Sequence, residues 1–152
     1  MLGEHGTSEV FVWSSARVSG VPVLEALSAS GPTREDIQKN VEQEVRYANI
    51  TIIEGTGASQ YGIGMVCARI AEMVLRDERA VVPIGSYQPA AGVTLSMPTV
   101  VGRSGVERLL EPDLSKRETQ ALERSVETLR QAVAPIQCTG LEATTLSGGI
   151  KS

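Results

Sequence analysis

Between Thr33 and Asp77 the apolar residues keep helical spacing twice, and only Gly55-Thr56-Gly57 separates the two runs. Ile37, Val41, Val45, Ala48 and Ile52 recur at intervals of four, four, three and four, which marks one face of a helix reaching about Glu54. Thr33 stands before it as N-cap, and Glu35 and Asp36 fill the first turn, where carboxylates complement the helix dipole. Ile63, Val66, Ile70, Met73 and Val74 share a face of a second helix that closes near Arg76 and Asp77. This order limits what the glycines can do. A loop that cradles a dinucleotide pyrophosphate reads G-x-G-x-x-G and joins a buried strand to a helix. Here Gln60 stands where the third glycine belongs, and the preceding segment has a helical period. The glycines read as the C-cap of one helix and the connection to the next.

On either side lie strand signals. "SEVFVWSSARVSGVPV" is rich in Val, Phe and Trp, ends at Gly20 and Pro22, and reads as one or two short strands. "RAVVPIGSY" and "GVTLSMPTVVGR" read as strands broken by Pro89 and Gly92, and "GRSGVERLLEP" as a turn with a short strand. "LSKRETQALERSVETLRQAV" is a helix opened by a capping box of Ser115 and Glu118. Leu122, Val126, Leu129 and Val133 keep its period, and Pro135 is expected to end it. Residues 135–152 read as a flexible tail after a domain of residues 1–134. Strands, two helices, strands and a helix, in that order, predict an α+β domain with helices packed on an antiparallel sheet.

The 152 residues suffice for one core, and the few aromatics (Phe11, Trp13, Tyr47, Tyr61 and Tyr87) make that core aliphatic. A net charge of −4 argues against a nucleic-acid partner, which would need a basic stripe. The longest apolar stretch, "YGIGMVCARIAEMVL", is interrupted by Arg69 and Glu72, so no membrane span is expected. The N-terminus has neither the basic region nor the apolar run of a secretory signal. Cys67 and Cys138 form no metal-spaced pair, no metal site is expected, and a reducing cytoplasm is the simplest setting. Cys67, among apolar residues at helical spacing, reads as a small core residue rather than a nucleophile.

His5 is the only histidine, and it lies in "GEHGTSEVFVWSS" with glycines on both sides. The glycines leave its ring uncrowded and allow an unusual backbone turn. A histidine that moves protons needs a carboxylate on its far ring nitrogen. Glu4, adjacent in sequence, is badly placed for that task.

"GEHGTSEVFVWSS", "GASQYGIG", "RDERAVVPIGSY" and "MPTVVGRSGVERLLEPDLS" come in the order and spacing of the C-terminal half of the L-lactate/malate dehydrogenase family, which residues 2–134 resemble. The resemblance implies that His5 is the proton donor and acceptor for the substrate's carbonyl or hydroxyl. It implies that Ser59 lines the substrate pocket and that Ile63 packs against the nicotinamide ring of NAD. It implies a small 2-oxo or 2-hydroxy acid substrate and a homo-oligomer for the complete enzyme. Thr7 stands where the family commonly has Asp, and Ser59 where it commonly has Thr. "YGIG" (61–64) leans toward the lactate type. The nucleotide-binding domain, with the glycine loop, the aspartate partner of His5 and the substrate-clamping arginines, is expected to be absent from this chain. A rival expectation is a stand-alone, non-catalytic module that keeps the fold and an oligomer interface.

Overall fold

In a computed structural model, residues 1–29 and 31–139 are described, with side chains through Pro135. Their elements are β1 (Arg17–Val18), β2 (Val21–Pro22), α1 (Val23–Ser28), α2 (Arg34–Arg46), α3 (Ala48–Thr56), α4 (Gln60–Leu75), β3 (Ala80–Gln88), β4 (Val93–Gly102), β5 (Gly105–Leu109) and α5 (Lys116–Thr139). β3, β4 and β5 form an antiparallel sheet with β4 in the middle, and β1 and β2 pair as a separate short hairpin. This is the expected α+β arrangement of helices and antiparallel strands.

β4 carries the core because its alternate residues all point inward. Val93, Leu95, Met97, Thr99 and Val101 are buried, as period-two alternation requires of a half-buried strand. Across the ladder, Pro83 faces Pro98. The Pro98 carbonyl points away from β3 and accepts from Leu110 N–H at 2.8 Å, so the ring nitrogens leave no donor missing between the two strands. Val93, Leu95 and Met97 join Leu2 and Val10 in one cluster, closed by Leu122, Val126 and Leu129 of α5. The α5 period read from the sequence therefore packs against this sheet.

The caps form as their chemistry demands. The Thr33 hydroxyl accepts from Asp36 N–H at 3.1 Å, and Ser115 N–H donates to Glu118 at 2.7 Å in a closed capping box. Gly57 ends α3 in the left-handed region at φ 79°, where its N–H reaches Ile53 O at 2.8 Å. No strand leads into this glycine, which removes the phosphate-loop alternative.

Three expectations need correction, and one helix went unread. The single helix expected up to Glu54 breaks into α2 and α3 at Tyr47, whose φ of −106° and ψ of 6° leave helical geometry. Apolar spacing continues through that break, so periodicity could not show it. α1 went unread because six residues are too few for a period. The one or two short strands read from residues 8–23 form at the end of that stretch as β1 and β2, while residues 8–16 contribute one bridge, Val10 to Leu2. Pro135 lies inside α5 and does not end it, since a proline withdraws one amide donor without obliging the chain to stop. The expected tail therefore begins within α5, and residues 140–152 lie outside the described residues. Finally, Cys67 is exposed rather than core. α4 is apolar nearly all round, yet only Met73 is buried, and Tyr61, Met65 and Leu75 are 78%, 73% and 78% exposed. Arg69 holds the end of this helix to the start of β3 through Glu78, at 2.6 and 2.9 Å. With Ile50, Ile52 and Ile53 also exposed, α3 and α4 both leave large apolar side chains uncovered, a surface that another molecule or domain commonly covers.

Candidate active site

The segment carrying His5 is fixed at both ends. Leu2 and Val10 exchange backbone hydrogen bonds at 2.9 Å, and Gly3 exchanges a pair with Ser96 of β4, also at 2.9 Å. It thereby occupies the edge of β4 that β5 has left. The apolar side chains of Leu2 and Val10, each 3% exposed, anchor this closure in the core. The seven residues between Leu2 and Val10 must form a loop, and His5 lies at a bend within it. The loop is tied internally, because the Glu4 carboxylate reaches forward to accept from Ser8 N–H at 3.2 Å and from the Ser8 hydroxyl. Glu4 N–H in turn donates to the Ser125 hydroxyl of α5 at 2.8 Å.

The chain beyond the loop is clamped by two helices. Arg46 of α2 donates to Thr7 O, lies 3.9 Å from the Glu9 carboxylate and sits 5.6 Å over the Phe11 ring. Trp13 Nε1–H donates to Glu42 at 2.8 Å. Glu118, at the start of α5, accepts from Trp13 N–H at 2.6 Å, Ser14 N–H at 3.0 Å, the Ser14 hydroxyl, and the N–H and hydroxyl of Ser115. Burial alone would raise this carboxyl, but the hydroxyls of Ser115 and Ser14 and their backbone amides outweigh it and hold it down at about 2.

The resulting arrangement is a rigid backbone presenting a free ring. His5 is exposed, and among the described residues its imidazole takes no hydrogen bond or ion pair. Glu4 binds Ser8 rather than His5, so it does not supply the carboxylate partner a proton-moving histidine needs. Thr7 is exposed beside it, with its carbonyl taken by Arg46. Ser59 caps α4 with φ −108° and ψ 10°, makes no side-chain capping bond, and is half-buried. Ile63 follows one turn on, its N–H facing Ser59 O at 3.5 Å, and is 61% exposed. Ser59 and Ile63 thus share the first turn of α4, while His5 belongs to the loop on β4. A groove of about 1120 Å³ between α2, residues 7–14 and α5 is lined by none of the three.

An apolar side chain held open beside a free hydroxyl suits the edge of a planar, partly apolar ring such as nicotinamide. The α3–α4 connection, the glycine-rich stretch closest to a dinucleotide phosphate loop in sequence, is a helix C-cap rather than a strand-to-helix turn. Among the described residues that connection therefore offers no strand-to-helix loop for the phosphates. No group of three metal-ligating side chains occurs among them, and none of their helices is long and apolar enough to cross a membrane.

Sequence reasoning missed Glu4, Ser8, Glu118 and Ser125 as parts of this frame. For Ser125 a signal existed, because it lies three residues after Leu122 and four before Leu129, a hydroxyl on the apolar stripe of α5.

Residues 1–138 match the family model described as lactate/malate dehydrogenase, alpha/beta C-terminal domain. The chain is 48% identical over 131 residues to an L-lactate dehydrogenase of Deinococcus radiodurans, covering 86% of this chain and 43% of that protein. Identity to an L-lactate dehydrogenase of Thermus aquaticus is 41% over 141 residues, 90% of this chain and 46% of the other. Among solved structures, a lactate dehydrogenase from a Medee basin deep-sea metagenome library superposes with a TM-score of 0.83 at 30% identity, covering 90% of this chain and 45% of that one. The chain spans less than half the length of these relatives.

Proposed function

The chain belongs to the lactate/malate dehydrogenase family, as its C-terminal α/β domain, and from that membership we propose that it is the substrate-binding, proton-transferring half of an NAD-dependent L-2-hydroxy-acid dehydrogenase acting on pyruvate and L-lactate. The observation that carries this reading is the His5 loop, whose backbone is fixed by β4 and α5 while the ring is left free. A module kept only for its fold has no need to hold an exposed imidazole on a rigid loop. His5 gives a proton to the carbonyl oxygen of the 2-oxo acid, and takes it back from the hydroxyl in the reverse direction. Ser59 offers its hydroxyl to the substrate and limits the pocket's width. Ile63 offers an apolar edge to the nicotinamide. When bound, NADH supplies the hydride that the C2 carbon receives.

The exposed face of α3 and α4 supports the same reading, as the surface that a nucleotide-binding half or a sister subunit covers in a homo-oligomer. The free thiol of Cys67 is in keeping with a reducing cytoplasm.

The test uses the chain alone and the chain joined to the nucleotide-binding half of the Deinococcus radiodurans relative. Positioning of cofactor against substrate supplies about 7–11 kcal/mol of such a barrier. The chain alone should therefore leave NADH unoxidised in the presence of pyruvate and should bind an apolar-surface dye. The joined protein should oxidise NADH and lose most of the dye signal. Turnover by the chain alone would sink the reading, and so would a folded joined protein that oxidises no NADH.

Ser59 gives a second test. Restoring a methyl with Ser59→Thr in the joined enzyme should change the ratio of kcat/KM for pyruvate against a longer 2-oxo acid by roughly 10-fold or more, since one methyl group in a pocket is worth about 1–3 kcal/mol. An unmoved ratio removes Ser59 from the pocket.

A further inference from the structure

We propose that Ser125 of α5 is a positioning residue for His5, fixing from the far end of the chain the turn on which the imidazole stands. The proposal rests on the reading of His5 given above. Ser125 is fully buried at 0% exposure and lies on the stripe of α5 whose other members, Leu122, Val126 and Leu129, pack on the core. In a helix interior serine is a poorer residue than alanine, and a buried hydroxyl costs free energy unless it is hydrogen-bonded. This hydroxyl is bonded, and its partners belong to the His5 loop. It accepts from Glu4 N–H, the amide immediately before His5, at 2.8 Å, and lies 3.2 Å from the Ser8 hydroxyl.

The bonding pattern makes one chain of the three side chains. Each hydroxyl has a single proton. The Ser8 proton goes to the Glu4 carboxylate, which leaves the Ser125 proton for the contact between the two hydroxyls. The chain runs from the Glu4 amide through Ser125 and Ser8 to the Glu4 carboxylate and closes on the residue where it began. His5 lies inside this closure, with Glu4 tied to α5 on one side and Ser8 tied to Glu4 on the other. Two glycines make room for it. At Gly3 (φ +85°) a Cβ would collide with Ser125 Oγ, and at Gly6 a Cβ would come within 2.7 Å of Glu4 Oε1. Gly3 is therefore required by both its backbone conformation and the clamp, while a side chain at Gly6 would displace the Glu4 carboxylate.

Because His5 is the only histidine, its ring protons are a unique NMR signal in the 152-residue chain. In Ser125→Ala that signal should shift and broaden. The amides of residues 4 and 8 should exchange with solvent at least about tenfold faster than the change in global stability accounts for. Ser125→Thr, which keeps the hydroxyl, should restore most of the wild-type pattern. Ser8→Ala breaks the same chain from the surface and serves if the buried replacement fails to fold. In the joined enzyme kcat should fall about 10- to 100-fold with KM for pyruvate little changed, as expected when a reacting group is displaced by about 1 Å. If the His5 signal and the amide exchange of Ser125→Ala match wild type, Ser125 does not position the loop, whatever His5→Ala does to turnover. If the loop loosens while kcat holds, the positioning role also fails. An intact rate in His5→Ala instead refutes the proposed function and leaves the NMR result standing.

Discussion

Replacing His5 by alanine in the joined enzyme should lower kcat for pyruvate reduction by about 10²–10⁴-fold, the usual contribution of a positioned general acid. It should do so without destabilising the fold. The imidazole is exposed and takes no hydrogen bond or ion pair among the described residues, and changes at such sites fall within about 0.5 kcal/mol. The two readouts separate chemistry from folding: a variant with an unchanged thermal midpoint and a rate loss of several orders has lost the proton transfer itself. His5→Asn refines the test, because an amide can still hydrogen-bond the substrate's carbonyl but cannot deliver a proton at neutral pH. Its KM should stay closer to wild type than its kcat. A loss below about tenfold in both variants would mean that the proton comes from elsewhere, and the assignment of His5 would fall with it.

The parts of this architecture legible in sequence are those in which one residue does one local job. Thr33, Ser115 with Glu118, and Gly57 each satisfy or end a helix through bonds within four residues, and all three form as expected. The alternation along β4 and the stripe of Leu122, Val126 and Leu129 were legible because burial imposes the period of the element that carries it. Reading failed where a period persists without its usual cause. α4 has the composition of a core helix, so Cys67 looked interior, yet the domain leaves that helix almost bare. Hydrophobic pattern records that a face is covered and is silent about which molecule covers it. Tyr47 is the converse case, a break that leaves the apolar spacing intact. The candidate site divides along the same line. His5, Ser59 and Ile63 came from motifs contiguous in sequence, whereas the bonds that hold the His5 loop run to Ser96 and Ser125, across 93 and 121 residues. Nothing local to Gly3 or Glu4 announces them.

Glu118 should be the most costly polar residue of the domain to replace. Its carboxylate gathers the Trp13 and Ser14 amides, the Ser14 hydroxyl and both donors of Ser115, so one side chain joins the segment after the His5 loop to the start of α5. Glu118→Gln keeps the shape but removes the charge and turns one oxygen into a donor facing donors. The expected loss follows from the carboxyl's displacement. It titrates at about 2 in the folded chain against an ordinary 4.5, and at about 1.4 kcal/mol per pH unit that gap is roughly 3 kcal/mol at neutral pH. For a domain of this size such a loss lowers the thermal midpoint by about 6–12 °C. The sign of the pH dependence is fixed as well. Because the folded value lies below the unfolded one, the ionised carboxylate is the form that folding prefers. Its stabilisation is complete above about pH 4.5 and is lost as pH falls toward 2. The stability difference between wild type and Glu118→Gln should therefore be level from pH 6 to 8 and shrink steadily below pH 4.5. Urea unfolding at stepped pH measures it directly. A difference that stays constant down to pH 2.5 would mean that the hydrogen bonds of Glu118 stabilise the fold through geometry alone, without favouring its charged form.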